Sequence, residues 1–275
     1  MGHGRTLEYP KTAVNKVNRY NVRATYDLEQ IHGIINDSTV VHVSFNTPDP
    51  SNPFPVTLPM VGVVASFEHP SSSLGEPLDI YLHGYVSSRL MNLSRNAGTT
   101  TSGTDDSAPT GLPVTVSATK VDGLILTLTP NTHDVNYRSA TLFGYASLVT
   151  DLAEKLWAME QITNSVVRDR WRFTRIPPDG AEMQSTSILR VRVAGGSGKI
   201  RLGGPRDEQK DLVREELRDS IWTGVIPVYE HFGEPVPGKG NRVKDVPSHV
   251  AEFAKERREG NERYATEAIV DTSQD

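Results

Sequence analysis

Two strand ends in this chain carry side chains suited to gripping a phosphate. Residues Asp79-Ile80-Tyr81-Leu82-His83-Gly84 alternate apolar and polar groups, the pattern of a strand with one face to a core and one to a cleft. They run directly into Tyr85-Val86-Ser87-Ser88-Arg89. Ser87 and Ser88 offer two hydroxyls and Arg89 a planar guanidinium fork, a set matched to a phosphate monoester. Gly84 removes a Cβ where the backbone could approach a ligand. The same residues have a plainer reading, in which Arg89 is a surface residue opening a helix over Leu90, Met91 and Leu93. His83 lies in the cleft-facing register, and its plainer reading is a half-buried histidine with its bonds satisfied.

A second polar stretch, Asn136-Tyr137-Arg138-Ser139, opens the strand Ala140-Thr141-Leu142-Phe143-Gly144-Tyr145-Ala146. Around these two lie Arg23-Ala24-Thr25-Tyr26-Asp27, Pro55-Val56-Thr57-Leu58-Pro59-Met60 and Val121-Asp122-Gly123-Leu124. Further on come Lys199-Ile200-Arg201-Leu202-Gly203 and Trp222-Thr223-Gly224-Val225-Ile226-Pro227. In this order the segments resemble the FMN-binding split-barrel family, the pyridoxamine 5′-phosphate oxidase-like proteins. Within it they are most similar to the flavin-nucleotide-binding, nitroimidazole-resistance-like branch. The resemblance covers roughly residues 20 to 232.

The resemblance implies a mainly β protein with peripheral helices, a split β-barrel of the FMN-binding type. It implies FMN as cofactor, with Arg89 on the phosphate and Ser87 and Ser88 beside it. It brings His83 near the flavin or its phosphate, and Arg138 and Ser139 near the ring edge and the phosphate side. Leu58, Pro59 and Met60 fall on the strand whose backbone meets the flavin ring. The basic residues that the oxidase carries on that strand are absent here, which argues against pyridoxamine phosphate as substrate. Relatives seat the flavin at a two-fold interface, so a homodimer and an FMN-dependent oxidoreductase acting on a small organic substrate are expected. The alternative is a haem- or flavin-binding protein of the same fold without turnover, with His83 or His133 as an axial ligand to haem.

The bulk numbers are compatible with one small-molecule site. The 275 residues carry a net charge of −5, 36% hydrophobic and 23% charged residues. That balance argues against a nucleic-acid partner. No apolar run approaches the roughly 20 residues of a membrane span, and the first residues lack a signal-peptide core, so a cytoplasmic location is expected. With no cysteine, disulfides, thiolate nucleophiles and Cys-ligated metals are excluded. The histidines show no paired spacing for a metal, and no Gly-x-Ser-x-Gly elbow supports a hydrolase. Gly195-Gly196-Ser197-Gly198-Lys199 approaches the phosphate-loop pattern, but Val193 and Ile200 occupy positions that pattern needs for Gly and Ser/Thr. It reads as a hairpin turn. Trp171 and Trp222 read as core or interface more readily than as flavin stackers.

The elements that must position these groups come in series. Residues 1–19 form an arm, 20–236 the barrel domain, and 237–275 a linker with a charged terminal helix. A helix is expected over Tyr26–Asn36, capped by Asp27 with a stripe of Leu28, Ile31, Ile34 and Ile35. Strands are expected over Val40–Phe45, Val56–Val64, Leu78–His83, Pro113–Thr119, Leu124–Thr129, Ser139–Val149 and Ser187–Val193. A helix over Asp151–Thr163 carries a capping-box pattern, Asp151 with Glu154, and a stripe of Leu152, Leu156, Met159 and Ile162. A charged helix is expected over Asp207–Asp219. Glu68–Pro77 and Ser94–Gly111 read as loops, and the terminal helix over Ser248–Val270 reads as broken or frayed at Gly260.

Overall fold

A computed structural model describes residues 6–99 and 110–270, and the expected loop over Ser94–Gly111 lies in large part outside them. In chain order the elements are β1 (Ala24–Thr25), α1 (Leu28–Asp37), β2 (Val41–Phe45), β3 (Val56–Met60), β4 (Gly62–Ala65), β5 (Asp79–Tyr85) and α2 (Arg89–Thr99). Then follow β6 (Leu112–Leu126), β7 (Asp134–Leu148), α3 (Leu152–Val166), α4 (Gly180–Ser185), β8 (Thr186–Arg201), α5 (Gln209–Leu212), α6 (Glu215–Ser220), β9 (Gly224–Pro227) and α7 (Ser248–Val270). The described residues divide into two compact units. One comprises 6–17, 25–99, 110–118 and 139–198, the other 18–24, 119–138 and 199–270.

The nine strands form one sheet in the order β3-β2-β6-β7-β8-β5-β4, with β1 beside β8 and β9 beside β6. β3 and β4 stand at opposite ends of that path, yet only Val61 separates them. Six strand spacings of ~4.8 Å would hold the ends of a flat sheet ~29 Å apart, far beyond the reach of one residue. The path must therefore curl until its ends meet. The amide of His83 on β5 donates to the Val61 carbonyl at 3.2 Å, which carries the β4–β5 ladder up to the junction with β3. This closure makes the first unit a barrel, mainly β with helices at its periphery, and explains why the apolar run Val56–Val64 breaks into two strands instead of one.

Alternation fills the interior. Val41, Val43 and Phe45 on β2, Val114, Val116 and Ala118 on β6, and Ala140, Leu142 and Ala146 on β7 are all buried. α1 forms as expected, with the Asp27 carboxylate accepting from the Gln30 amide at 2.8 Å and Leu28, Ile31, Ile34 and Ile35 inward. α3 packs on β4 and β5 through Met159 and Ile162 of the expected stripe, but its buried face extends to Trp157 and Ala158 and leaves out Leu152. Leu152 is 68% exposed, while Ala158 and Ile162 join Val63, Tyr81 and Ile188, with Trp157 against Tyr81 and Phe67. The reason lies at Glu154. Its amide is capped by Asp151 at 2.7 Å, but its carboxylate turns inward to Tyr81 instead of back to the cap.

The glycine-rich 195–199 stretch is not a turn. It runs inside β8, because a Cβ at Gly196 would meet Leu142 at 2.5 Å and one at Gly198 would meet Thr25 at 2.6 Å. Glycine inside a strand here marks close approach of neighbouring chain.

Candidate functional site

β5 delivers the chain into the corner that the sequence singled out. His83, Gly84 and Tyr85 pair with Ile188, Ser187 and Thr186 of β8, and the next residues turn into α2. Ser88 caps that helix: its hydroxyl accepts from the Met91 amide at 3.4 Å and still has its own proton to donate. The Ser87 carbonyl accepts from the Asn92 side chain at 3.2 Å, fixing the turn. Ser87 and Arg89 are exposed, and among the described residues no carboxylate pairs with the Arg89 guanidinium. An open cation, two hydroxyls and the first turn of an eleven-residue helix thus share one corner. Such a donor set fits a phosphate, since helix amides and a guanidinium both favour an anion there.

The floor of the corner is apolar. A Cβ at Gly84 would collide with the Met91 methyl and come 3.6 Å from the Met60 methyl. Gly84 thus admits two thioether side chains, rather than leaving open the space the sequence suggested. Met60 ends β3, whose Leu58, Pro59 and Met60 pair with Val43, His42 and Val41. Pro59 brings no N–H, so only Leu58 and Met60 carry backbone donors, and β3 stands at an end of the strand path, where a proline is tolerated. His83 is exposed, and the protein packed around part of its ring lowers its pKa below the usual histidine value. The structure thus gathers Met60, Gly84, Ser87, Ser88 and Arg89 around one corner, with His83 preceding it on β5.

Arg138 is placed differently. Its Nε and Nη2 donate to the two oxygens of Asp122 at 3.1 and 2.8 Å, and its guanidinium lies 3.6 Å from the Tyr264 ring centroid. Both partners belong with it to the second unit. Ser139, the next residue, belongs to the first unit and is half-buried on β7.

Two charged constellations escaped the sequence reading. In the first unit Arg190 bonds Asp79, Glu68 at 3.0 Å and Glu154 at 3.4 Å, and Glu154 also accepts from the Tyr81 hydroxyl at 2.8 Å. Burial raises the pKa of that phenol, and its bond to Glu154 raises it further. The network borders a cavity of about 800 Å³ lined by Ser66, His69, Asp79 and Arg192. A second cavity of the unit, about 430 Å³, lies among Phe45, Phe143, Tyr145 and Asn15. Neither is lined by the corner residues. In the second unit, Lys120 and Asp122 take positions on β6 that continue the inward register of Val114, Val116 and Ala118. That register was the available signal: two charges where alternation calls for apolar side chains.

Comparison with known proteins follows the same lines. The profile of the family described as pyridoxamine 5′-phosphate oxidase matches residues 27–200. The fold is similar to that of the flavocytochrome Anf3 from Azotobacter vinelandii, with a TM-score of 0.68 and 23% identity over 88% of this chain and 97% of that one. It is also similar to the FAD and heme binding protein from Mycobacterium smegmatis, with a TM-score of 0.66 and 19% identity over 84% and 97%. No curated protein matches the chain. The closed antiparallel barrel and the family profile agree, and the chain belongs to the pyridoxamine 5′-phosphate oxidase family, with its flavin-binding split-barrel fold.

Proposed function

We propose that this protein is an FMN-dependent oxidoreductase acting on a small organic substrate, with the flavin phosphate at the Ser87-Ser88-Arg89 corner. The observation that carries the reading is Arg89: an exposed guanidinium, unpaired among the described residues, beside two hydroxyls at the start of α2. Bound there, FMN supplies hydride and electron transfer. The protein's own part is to hold and shield. Arg89 and the serines grip the phosphate, β3 with Leu58, Pro59 and Met60 lies along the ring, and the Met60 and Met91 side chains floor the site. The corner is open in one chain, and a planar ring needs cover on both faces, which supports a homodimer whose second chain walls the site. Without basic side chains on β3, the substrate face favours a neutral or apolar molecule over a phosphorylated one.

The test is Arg89→Ala. Loss of one charge-assisted phosphate grip, roughly 1.5–3 kcal/mol, weakens flavin affinity about 10- to 150-fold with the fold unchanged. Unaltered flavin content in that variant would remove the phosphate assignment.

A second reading adds haem. It is favoured by His83, whose exposed ring stays neutral near pH 7 because its pKa is lowered, the state that ligates iron. The flavocytochrome and the FAD and heme binding protein, similar over most of their length, support it as well. His133 is the other candidate, since its Nδ1 lies 3.0 Å from the Thr129 carbonyl, a bond that leaves Nε2 as the ligating atom.

A further inference from the structure

The loop between β4 and β5 and a stretch of β8 line the cavity of about 800 Å³ in the first unit. Glu68, Glu76, Asp79, Arg190 and Arg192 supply its charges. Arg190 is crowded by acids, since its guanidinium meets Asp79, Glu68 and, from α3, Glu154. Three carboxylates on one guanidinium leave a surplus of negative charge. The side chains of Arg190, Asp79 and Glu154 are 23%, 19% and 13% exposed, so water screens that surplus only in part.

Arg192, two residues along β8 and on the same face, is in the opposite situation. It donates through Nη2 alone, to the Thr110 carbonyl at 3.0 Å and the Thr110 hydroxyl at 2.6 Å, and neither partner carries charge. Among the described residues no carboxylate pairs with it. Across the lining, the Glu76 carboxylate accepts from the Ser73 amide at 2.6 Å and pairs with no cation among the described residues. A cation without an anion and an anion without a cation thus line one cavity and do not meet. A molecule that carries both charges would join them.

The loop that forms the wall is already tied down. The Leu74 carbonyl is held at 2.7 Å by Nδ1 of the buried His32, and the His69 amide donates to the Ser66 hydroxyl at 3.1 Å. A ligand therefore has little of the wall to order. Ser71 and Ser72 add hydroxyls to the lining. With Glu154 included, the carboxylates outnumber the guanidinium groups, which favours a ligand of net positive charge.

We propose that this cavity binds a free basic amino acid, its carboxylate on Arg192 and its ammonium groups among Glu68, Glu76 and Asp79. The site shares no residue with the flavin corner and does not rest on the flavin reading.

Calorimetric titration of the full chain with L-lysine tests it, beside 1,5-diaminopentane, which lacks the carboxylate, and L-glutamate, whose net charge is negative. L-lysine is expected to bind about three- to tenfold more tightly than the diamine, and L-glutamate more weakly than either. Arg192→Gln should erase the advantage of L-lysine over the diamine. Glu76→Gln should weaken both roughly two- to fivefold and leave that advantage in place. No binding of L-lysine to the wild type overturns the proposal. Equal affinity for L-lysine and the diamine, an advantage that survives Arg192→Gln, or tighter L-glutamate than L-lysine overturns it equally.

Discussion

Replacing Asp122 by Asn removes the carboxylate that both Nε and Nη2 of Arg138 bond, at a place where water has little access. The two side chains are 3% and 12% exposed, and the pair is bidentate at 2.8 and 3.1 Å. Removing one partner of a buried pair strands the other, which costs about 3–5 kcal/mol. Arg138→Met strands the carboxylate and should cost a similar amount, with about 0.5–2 kcal/mol more for the lost contact with the Tyr264 face. The double variant removes both members of the pair. Its cost should fall short of the sum by at least about 2 kcal/mol. Urea unfolding supplies the free energies, and amide exchange across α7 and β7 locates the loss in the second unit. Single costs below about 1 kcal/mol would mean that the pair behaves as a solvated one. Additivity within about 0.5 kcal/mol would mean that the groups are not coupled. The same variants bear on the cofactor: flavin affinity that drops with Arg138→Met but not with Asp122→Asn would assign Arg138 to the flavin directly.

Other consequences are as specific. His32 is fully buried, and its Nδ1, 2.7 Å from the Leu74 carbonyl, must carry the proton, so Nε2 accepts from the Tyr9 hydroxyl at 2.6 Å. Burial lowers its pKa despite the Leu74 bond and the Asp27 charge. Below about pH 6.5 the unfolded chain therefore takes up a proton that the native state refuses. Stability should fall with falling pH by at most about 1.4 kcal/mol per unit until the lowered native pKa is reached. His32→Gln should flatten that slope, whereas equal slopes in the two proteins would refute the assignment; His83, shifted the same way, cancels in the difference. Gly84→Ala should lower stability by about 1–3 kcal/mol, because the Met91 methyl occupies the new Cβ position and Met91 is fully buried. A neutral result in thermal unfolding would show that the thioether yields freely.

Local chemistry was legible in the sequence, and long-range geometry was not. Asp27 announced α1, and alternation marked most strands to within a few residues, because both signals are carried by near neighbours in the chain. Pro113–Thr119 and Leu124–Thr129 appeared as two strands because Asp122-Gly123 has the composition of a turn. They form one strand, β6, because Asp122 is held by Arg138 and a Cβ at Gly123 would meet Val225 of β9 at 2.8 Å. α7 runs unbroken through Gly260 because its packed face is made of Phe253, Asn261, Tyr264, Ala265 and Ala268. Small and polar residues that seat by close approach and hydrogen bonds leave no hydrophobic stripe to read. The course of the chain around Ser87-Ser88-Arg89 could be read because strand, turn and helix start are contiguous. The partners of Arg190 lie 36 to 122 positions from it, and only the folded chain brings them together.

The central claim is that this barrel holds a flavin. The most direct measurement is the visible absorption spectrum of the purified protein, followed by identification of the chromophore released on denaturation. A two-banded yellow spectrum that yields FMN is the result the account predicts. A Soret band without flavin would move the cofactor to haem and to His83. A colourless protein that takes up no added flavin would contradict the account.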